Sequence, residues 1–594
     1  MKKFSLLLFT LLTAVSFAQV SVTSFPKNNQ LFPRNRTTNQ SVLTLSGSVD
    51  HSGISYTDLR VKLFRNGAIF NTYDLTLNFT ADIAPFNFTF PINAELANYT
   101  IELYGVNGYY ETLVQRAADV VSGDAYIING QSNAVANMYS GSSSAQLSPF
   151  IRSFGTSMPD ASVSSDNNWY VANGDAIYAP GAIGQWGLKT ARWIVDNMKV
   201  PVAVINGAVG GTSIDQHQRY AANPYDLGTI YGRLLHRVTA AGLKNSIRAV
   251  WWHQGESDAI LGRTGAAYSA LFTSLKASWQ LDFPTTERYF TFQIRQGCGN
   301  NPNNVLAIME AQRQLAKGNV HIVSTNGANQ NTDNCHFPYA QGYELFADRL
   351  IKQVQVYLYG AVSPQDMNAP EILTAKLVAY NLIELTFTNI TSLTMFCDPT
   401  AGADFKLEGA GAGTAVLTGV ALSNKIYLAL SGAPKLPSTI SYVGHQGSGM
   451  PFLRTLGGNA ALSFASVPVT SAPLLGFMVK QEDTELNQAI QILEEQAPEL
   501  ATSIRESIRN NQDFTVSPNP ASSVSSITLP SDGEWKSVTL SDITGRTVLY
   551  SEFKNGELTA GRAELDLSSL PSGQYFVQLS GDRSVAASKL VVQR

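Results

Sequence analysis

Between residues 125 and 359 the chain alternates strand, loop and helix without a break, a pattern that demands a parallel sheet covered by helices. Apolar runs at 125–129, 202–206, 247–253, 289–294 and 320–325 predict the strands. Segments at 187–198, about 266–279, 305–317 and 339–359 predict the helices between and after them. In such a sheet the ligand site lies beyond the carboxyl ends of the strands, so the residues following each strand carry the functional information.

On either side of this region the pattern changes. Residues 19–118 contain short alternating stretches such as 59–64 and 99–104 between Gly, Asn and Pro turns, which predicts a β-sandwich. Residues 361–480, with their clearest strands at 382–387 and 425–430, predict a second one. Residues 481–512 carry helix formers with apolar Leu486, Ile490, Ile492, Leu493 and Leu500, a helical connector interrupted near Pro498. Residues 513–594 form a separate final unit. A chain of 594 residues exceeds what one core serves, and about four domains match the length prior. With 14% charged and 44% hydrophobic residues, 46 Gly and 24 Tyr, the composition favours β-rich secreted domains.

Residues 1–18 predict a signal peptide: Lys2 and Lys3, an apolar stretch from Phe4 to Val15, then Ser16-Phe17-Ala18 as the cleavage site. Removing both lysines takes the basic count from 41 to 39 against 45 acids, a net charge near −6. That balance gives no support for nucleic-acid binding. No later run approaches the ~20 apolar residues of a membrane-spanning helix, so no transmembrane segment is expected in the mature chain. The expected location is secreted or at the cell surface. The cysteines are Cys298, Cys335 and Cys397, too few for a disulfide-dependent scaffold, although export permits one pair.

Four blocks fall at strand ends. Gly130-Gln131-Ser132-Asn133 places a hydroxyl in a glycine turn after an apolar run, where the following helix start favours developing negative charge. Asn206-Gly207-Ala208-Val209-Gly210-Gly211-Thr212-Ser213 brings backbone N–H groups close to whatever lies above the sheet. No Gly-Lys-Ser/Thr follows, which argues against a phosphate-binding loop. His253-Gln254-Gly255-Glu256-Ser257-Asp258 offers an amide donor in Gln254 and a carboxylate in Glu256, and His253 fits a packed, hydrogen-bonded role better than that of a base. Asp333-Asn334-Cys335-His336 sets a carboxylate and an imidazole three residues apart, where the first can orient the second. No Gly-x-Ser-x-Gly elbow is present, so the α/β-hydrolase layout is not supported. A metal site would need more ligands than these blocks offer, and neither metal nor organic cofactor is expected.

Taken in order, these blocks resemble the SGNH-hydrolase superfamily, specifically the sialate O-acetylesterase and acetylxylan esterase group, over roughly residues 123–360. The resemblance implies a multidomain protein with a central α/β SGNH-type three-layer fold on a parallel sheet, flanked by β-sandwich domains. It implies Ser132 as nucleophile, His336 as general base, and oxyanion donation from the Ser132 N–H, from Gly210 or Gly211, and from Gln254. Broader SGNH enzymes carry Asn where this chain has Gln254. Either Asp333 or Glu256 completes the catalytic set, with Asp333 preferred. The implied substrate is an O-acetylated glycan, sialic acid first and acetylated xylan or other plant glycans second. A surface glycan-binding protein without catalysis is the rival, against which intact Ser132, Asp333 and His336 argue. Cys335 adjoins His336 and Cys298 follows the neighbouring strand, so a disulfide pinning the loop and a pair of free thiols both stay open.

At the other end, Val516-Ser517-Pro518-Asn519-Pro520, Leu540-Ser541-Asp542-Ile543-Thr544-Gly545-Arg546, Leu570-Pro571-Ser572-Gly573-Gln574-Tyr575-Phe576-Val577 and Lys589-Leu590-Val591-Val592 follow one another. That succession resembles the C-terminal sorting domain of the bacterial type IX secretion system, which implies the secretion machinery as a partner and passage through the outer membrane.

Overall fold

The computed structural model describes residues 20–594 apart from 52–55, 365, 380, 389–392, 395–400, 410, 412–413, 446–452, 472–483, 510–513, 530–534, 544–545, 554–560 and 582–584. The expected signal peptide at 1–18 lies outside the described residues, as does Cys397.

Seven strands form the central sheet: β1 (Tyr110–Gly130), β2 (Ile151–Phe154), β3 (Trp169–Val171), β4 (Val202–Asn206), β5 (Ile247–His253), β6 (Arg288–Phe292) and β7 (Val320–Val323). They lie in the order β3-β2-β4-β1-β5-β6-β7. Every neighbouring pair from β2 to β7 is parallel, and β3 adds an antiparallel edge. Five helices pack on this sheet: α1 (Gln185–Met198), α2 (Ile230–Ala240), α3 (Gly265–Asp282), α4 (Pro302–Leu315) and α5 (Glu344–Tyr357). Alternation along β1 separates two cores. Ala125 and Ile127 join the apolar faces of α2, α3 and α4, while Tyr126 and Ile128 join those of α1 and α5. The chain order reverses at β1, with β4 on one side and β5 on the other, and the crevice between strand ends at such a switch point is where ligands bind.

The strand β1 runs further than the sequence suggests. Its first half pairs with Tyr99–Asn107 in the N-terminal sandwich, and its second half pairs with β4 and β5, so residue 118 falls inside one continuous strand. The other sheet of that sandwich joins Val20–Ser24, Gln40–Asp50 and Ile83–Asn93. Below the central sheet, buried Asp124 accepts from Arg34 (2.8 Å), Arg248 (2.8 Å) and the Tyr359 hydroxyl (2.8 Å). Burial alone would raise the Asp124 pKa, but the two guanidinium groups hold it below the ordinary carboxylate range.

Other elements depart from the sequence expectation, and the edge strands β2 and β3 are additional to the five strands it contains. The helix α2 is absent from the sequence expectation, although Ile230, Tyr231, Leu234, Leu235 and Val238 give it a continuous buried apolar stripe. The expected helix over 339–359 is interrupted: Ala340 and Gln341 leave helical geometry, and α5 starts at Glu344.

Past the central domain, seven strands form one sheet, and a two-stranded ribbon joins Leu393–Thr394 to Arg454–Thr455. Alternation in sequence identifies strands but does not reveal how they divide between sheets. Helices Thr484–Gln496 and Pro498–Arg509, divided at Pro498, pack Leu486, Ile490, Leu493 and Ile504 against Leu382, Tyr427 and Ala429 of this sheet. The last domain pairs a three-stranded with a four-stranded sheet around Val516, Leu540, Val577 and Leu590. No described helix is long and apolar enough to cross a membrane.

Candidate active site

Ser132 opens a four-residue helix, Ser132–Val135, directly after β1, and its side chain is half-buried. As the first helical residue it has a backbone N–H without an intrahelical acceptor. The turn before it requires glycine: Gly130 has φ +137°, and a Cβ there would meet the His253 carbonyl oxygen at 2.0 Å. Hydrogen bonds stitch the neighbouring strand ends to this turn. Gly130 O accepts from Val209 N (3.0 Å), and Gln131 N donates to His253 O (3.0 Å). The Gln131 side chain accepts from Ser257 N (3.1 Å) and Gly255 N (3.3 Å), which aligns the loop after β5.

Asn133 is the hub that sequence reasoning left without a role. Its Nδ2 donates to Glu256 Oε1 (2.8 Å) and to Cys335 O (3.2 Å), its Oδ1 accepts from the Tyr343 hydroxyl (2.9 Å), and its carbonyl accepts from Trp186 Nε1 (2.9 Å). The Ser132 turn, the β5 loop and the histidine loop therefore meet at one buried amide.

On the histidine loop, His336 Nδ1 lies 2.6 Å from Asp333 Oδ2. Asp333 Oδ1 also accepts from the backbone N–H groups of Cys335 and His336, each at 3.0 Å. Partial burial pushes the Asp333 pKa up, but the hydrogen bonds from the His336 ring and these two backbone groups leave it lowered. Tyr139 stacks on the His336 ring with centroids 4.1 Å apart and planes 10° from parallel. Burial, reinforced by the Asp333 charge, pushes the Tyr139 phenol up to about 12.

Glu256 turns elsewhere. Its Oε1 lies 3.3 Å from His253 Nε2 and accepts from Asn133, so the contact to His336 is made by Asp333. Burial raises the Glu256 pKa and the His253 ring and Asn133 amide more than offset it, keeping the carboxylate charged. His253 is itself buried and stacks on Phe292.

The glycine loop after β4 brings Gly210 against the serine: a methyl group at Gly210 would sit 3.7 Å from Ser132 Cβ. The Gly210 N–H donates to the Tyr178 hydroxyl at 2.7 Å, and Tyr178 itself holds a positive φ of 47°. Gly211 adopts φ +71° with no described atom within 4 Å of its Cβ position. Gln254 is fully buried, and its Nε2 donates to Asp258, to Thr212 O (3.1 Å) and to Gln131 Oε1 (3.3 Å). Its amide thus braces the glycine loop from beneath. Among the described residues no group of three or more His, Cys, Asp or Glu side chains is placed to hold a metal ion.

Cys298 and Cys335 form a disulfide 37 residues apart in sequence, next to His336. Gly297 is required beside it, since a Cβ there, at φ +145°, would meet Asn334 O at 2.0 Å. Closing a loop of that length is worth about 3–4 kcal/mol in chain-entropy terms. Reduction of the mature protein is expected to lower its melting temperature and its esterase rate together, because the loop it releases carries both Asp333 and His336. Unchanged melting and turnover under a reductant shown to free both thiols would count against this coupling.

The parallel sheet carries a serine turn at its switch point, and the loop tied to that turn through Asn133 holds an Asp-bonded histidine. Residues 122–355 match the family described as carbohydrate esterase, sialic acid-specific acetylesterase, and residues 515–593 match the secretion system C-terminal sorting domain. The chain therefore carries a carbohydrate acetylesterase domain of that family and a type IX sorting domain, and the latter indicates export to the cell surface or medium. No curated protein matches the chain in sequence. Among solved structures, a carbohydrate acetylesterase from Xanthomonas citri aligns with a TM-score of 0.50 at 16% identity, over 74% of this chain and 97% of its own. A protein from Arabidopsis thaliana aligns with a TM-score of 0.32 at 20% identity, over 40% of this chain and 98% of its own. The first of these likenesses bears on the fold; the second carries no weight.

Proposed function

We propose that the chain is an exported serine carbohydrate esterase that removes acetyl groups from sugar hydroxyls. Sialic acid is the first substrate class and acetylated xylan or another plant glycan the second. Residues 1–18 serve as its signal peptide, and the sheet with helices on both faces supports an SGNH-type three-layer fold. The observation that carries the reading is the Asn133 bond to Cys335 O, which ties the residue after Ser132 to the loop holding the Asp333–His336 pair.

In this mechanism Asp333 fixes His336 through Nδ1 and leaves Nε2 to take the proton from Ser132 Oγ as that oxygen attacks the acetyl carbon. The Ser132 and Gly210 N–H groups receive the developing oxyanion. The bond from the acetyl carbon to the sugar oxygen then breaks, and the sugar leaves with the proton from His336. Water, deprotonated by the same ring, attacks the acetyl-serine; acetate departs and Ser132 regains its proton. Glu256 positions Asn133. Acetate release from O-acetylated sialic acid and acetylxylan, measured side by side on mature protein, tests the reading, and no release from either by folded protein would overturn it.

Two variants separate donors from supports. Gln254→Ala is expected to cost about 1–3 kcal/mol of stability, from buried hydrogen bonds lost, while kcat falls by less than ~10-fold. A fall of ~10²–10³ without loss of stability would instead make Gln254 an oxyanion donor. Tyr178→Phe frees the Gly210 N–H that the acetyl oxygen must reach. A severalfold lower KM for an aryl acetate with kcat little changed is expected, and a ~10²-fold drop in kcat would instead assign the hydroxyl to the transition state.

A further inference from the structure

Beside the glycine loop lies a pocket of about 510 Å³ lined by Val209, Thr212, Asp215, Gln216 and Arg233 among others. Val209 and Thr212 bracket the Gly210–Gly211 pair, and Gly210 abuts Ser132, so the pocket opens one residue from the acyl site. Its volume suits a single sugar residue.

The charges in this pocket are unevenly matched. Asp215 is paired with Arg263, which also binds the buried Asp258. Arg233 is only 8% exposed and donates through Nη1 to the Leu227 carbonyl at 3.0 Å. Burial pushes its pKa down, and among the described residues the acidic group that acts on it is Asp160, which lies on the exposed surface. Gln216 accepts from Ser213 N through Oε1 at 2.9 Å, which leaves its NH₂ as a donor. A buried guanidinium without a carboxylate partner, beside a free amide donor, is the arrangement that a planar carboxylate completes with charge-assisted hydrogen bonds.

Resting on the esterase reading above, the geometry points to Arg233 and Gln216 as a carboxylate-binding subsite that holds the acid group of an acetylated acidic sugar while its ester lies at Ser132. Two kinds of sugar bring that group, a sialic acid or a uronic acid, and they share the recognition chemistry.

The test is calorimetric binding to mature wild-type protein of N-acetylneuraminic acid and of glucuronic acid, each against its neutral carboxamide. At least one acid is expected to bind ~10-fold or more tightly than its carboxamide, and which one does so names the sugar. Arg233→Gln, checked for a native melting temperature, is expected to reduce that preference to near unity, and Arg233→Lys to restore part of it. Equal binding of acid and carboxamide, no binding of any of the four, or a preference that survives Arg233→Gln would overturn the subsite. Binding requires no turnover, so failure of the esterase reading would appear separately, as absent acetate release.

Discussion

Mature protein carrying Ser132→Ala is expected to release acetate about 10⁴-fold or more slowly than wild type while keeping its melting temperature. The lost hydroxyl is the protein group that bonds to the acetyl carbon in the proposed mechanism, and removing a nucleophile from a serine–histidine unit leaves little beyond binding and oxyanion stabilisation. The half-buried position at a helix start accepts alanine without a clash, since the backbone there is held by Gln131 and Asn133. Acetate release on O-acetylated sialic acid and acetylxylan, with thermal unfolding in parallel, is the measurement. Retention of activity within ~100-fold of wild type would remove Ser132 from the chemistry.

Gly130→Ala is expected to damage both stability and turnover severely. The Cβ would lie 2.0 Å from His253 O and 3.0 Å from the Ala134 Cβ, at a φ of +137°. The nearest obstacle is backbone in the middle of a parallel sheet, where β1 and β5 pair Gly130 with His253, so it cannot rotate away. Backbone strain and overpacking together amount to about 3–5 kcal/mol. Denaturant unfolding should record that loss, and acetate release should fall below ~1% because the serine turn moves with the strand. A variant with wild-type stability would mean that the turn has room the structure does not reveal.

How much of this was legible in sequence depended on how local the determining contacts are. The strands at Val202–Asn206 and Ile247–His253 are β-branched and apolar runs bounded by turn residues, and they lie where the pattern predicts. Asp333 and His336 meet because three residues on one loop suffice to bring them together. Asn133 was silent for the opposite reason: its partners Glu256, Cys335 and Tyr343 are 123, 202 and 210 residues away. Glu256 looked like a partner for His336, but His253 lies on the strand immediately before it and makes the contact instead. Arg233 and Arg237 are buried on α2, a helix absent from the sequence expectation, and the pocket beside it depends on residues far apart in the chain.

The long strand β1 has an outcome for where the enzyme can be cut. The residues matched by the esterase family begin at 122, yet the backbone that delivers Ser132 starts at Tyr110, edge-bonded to Tyr99–Asn107. A fragment trimmed to the matched residues would begin in mid-strand, losing Arg34 from Asp124 and exposing an unpaired strand edge beneath the sheet. The smallest fragment that keeps the strand leading to Ser132 paired along its whole length is thus the N-terminal sandwich together with the central sheet.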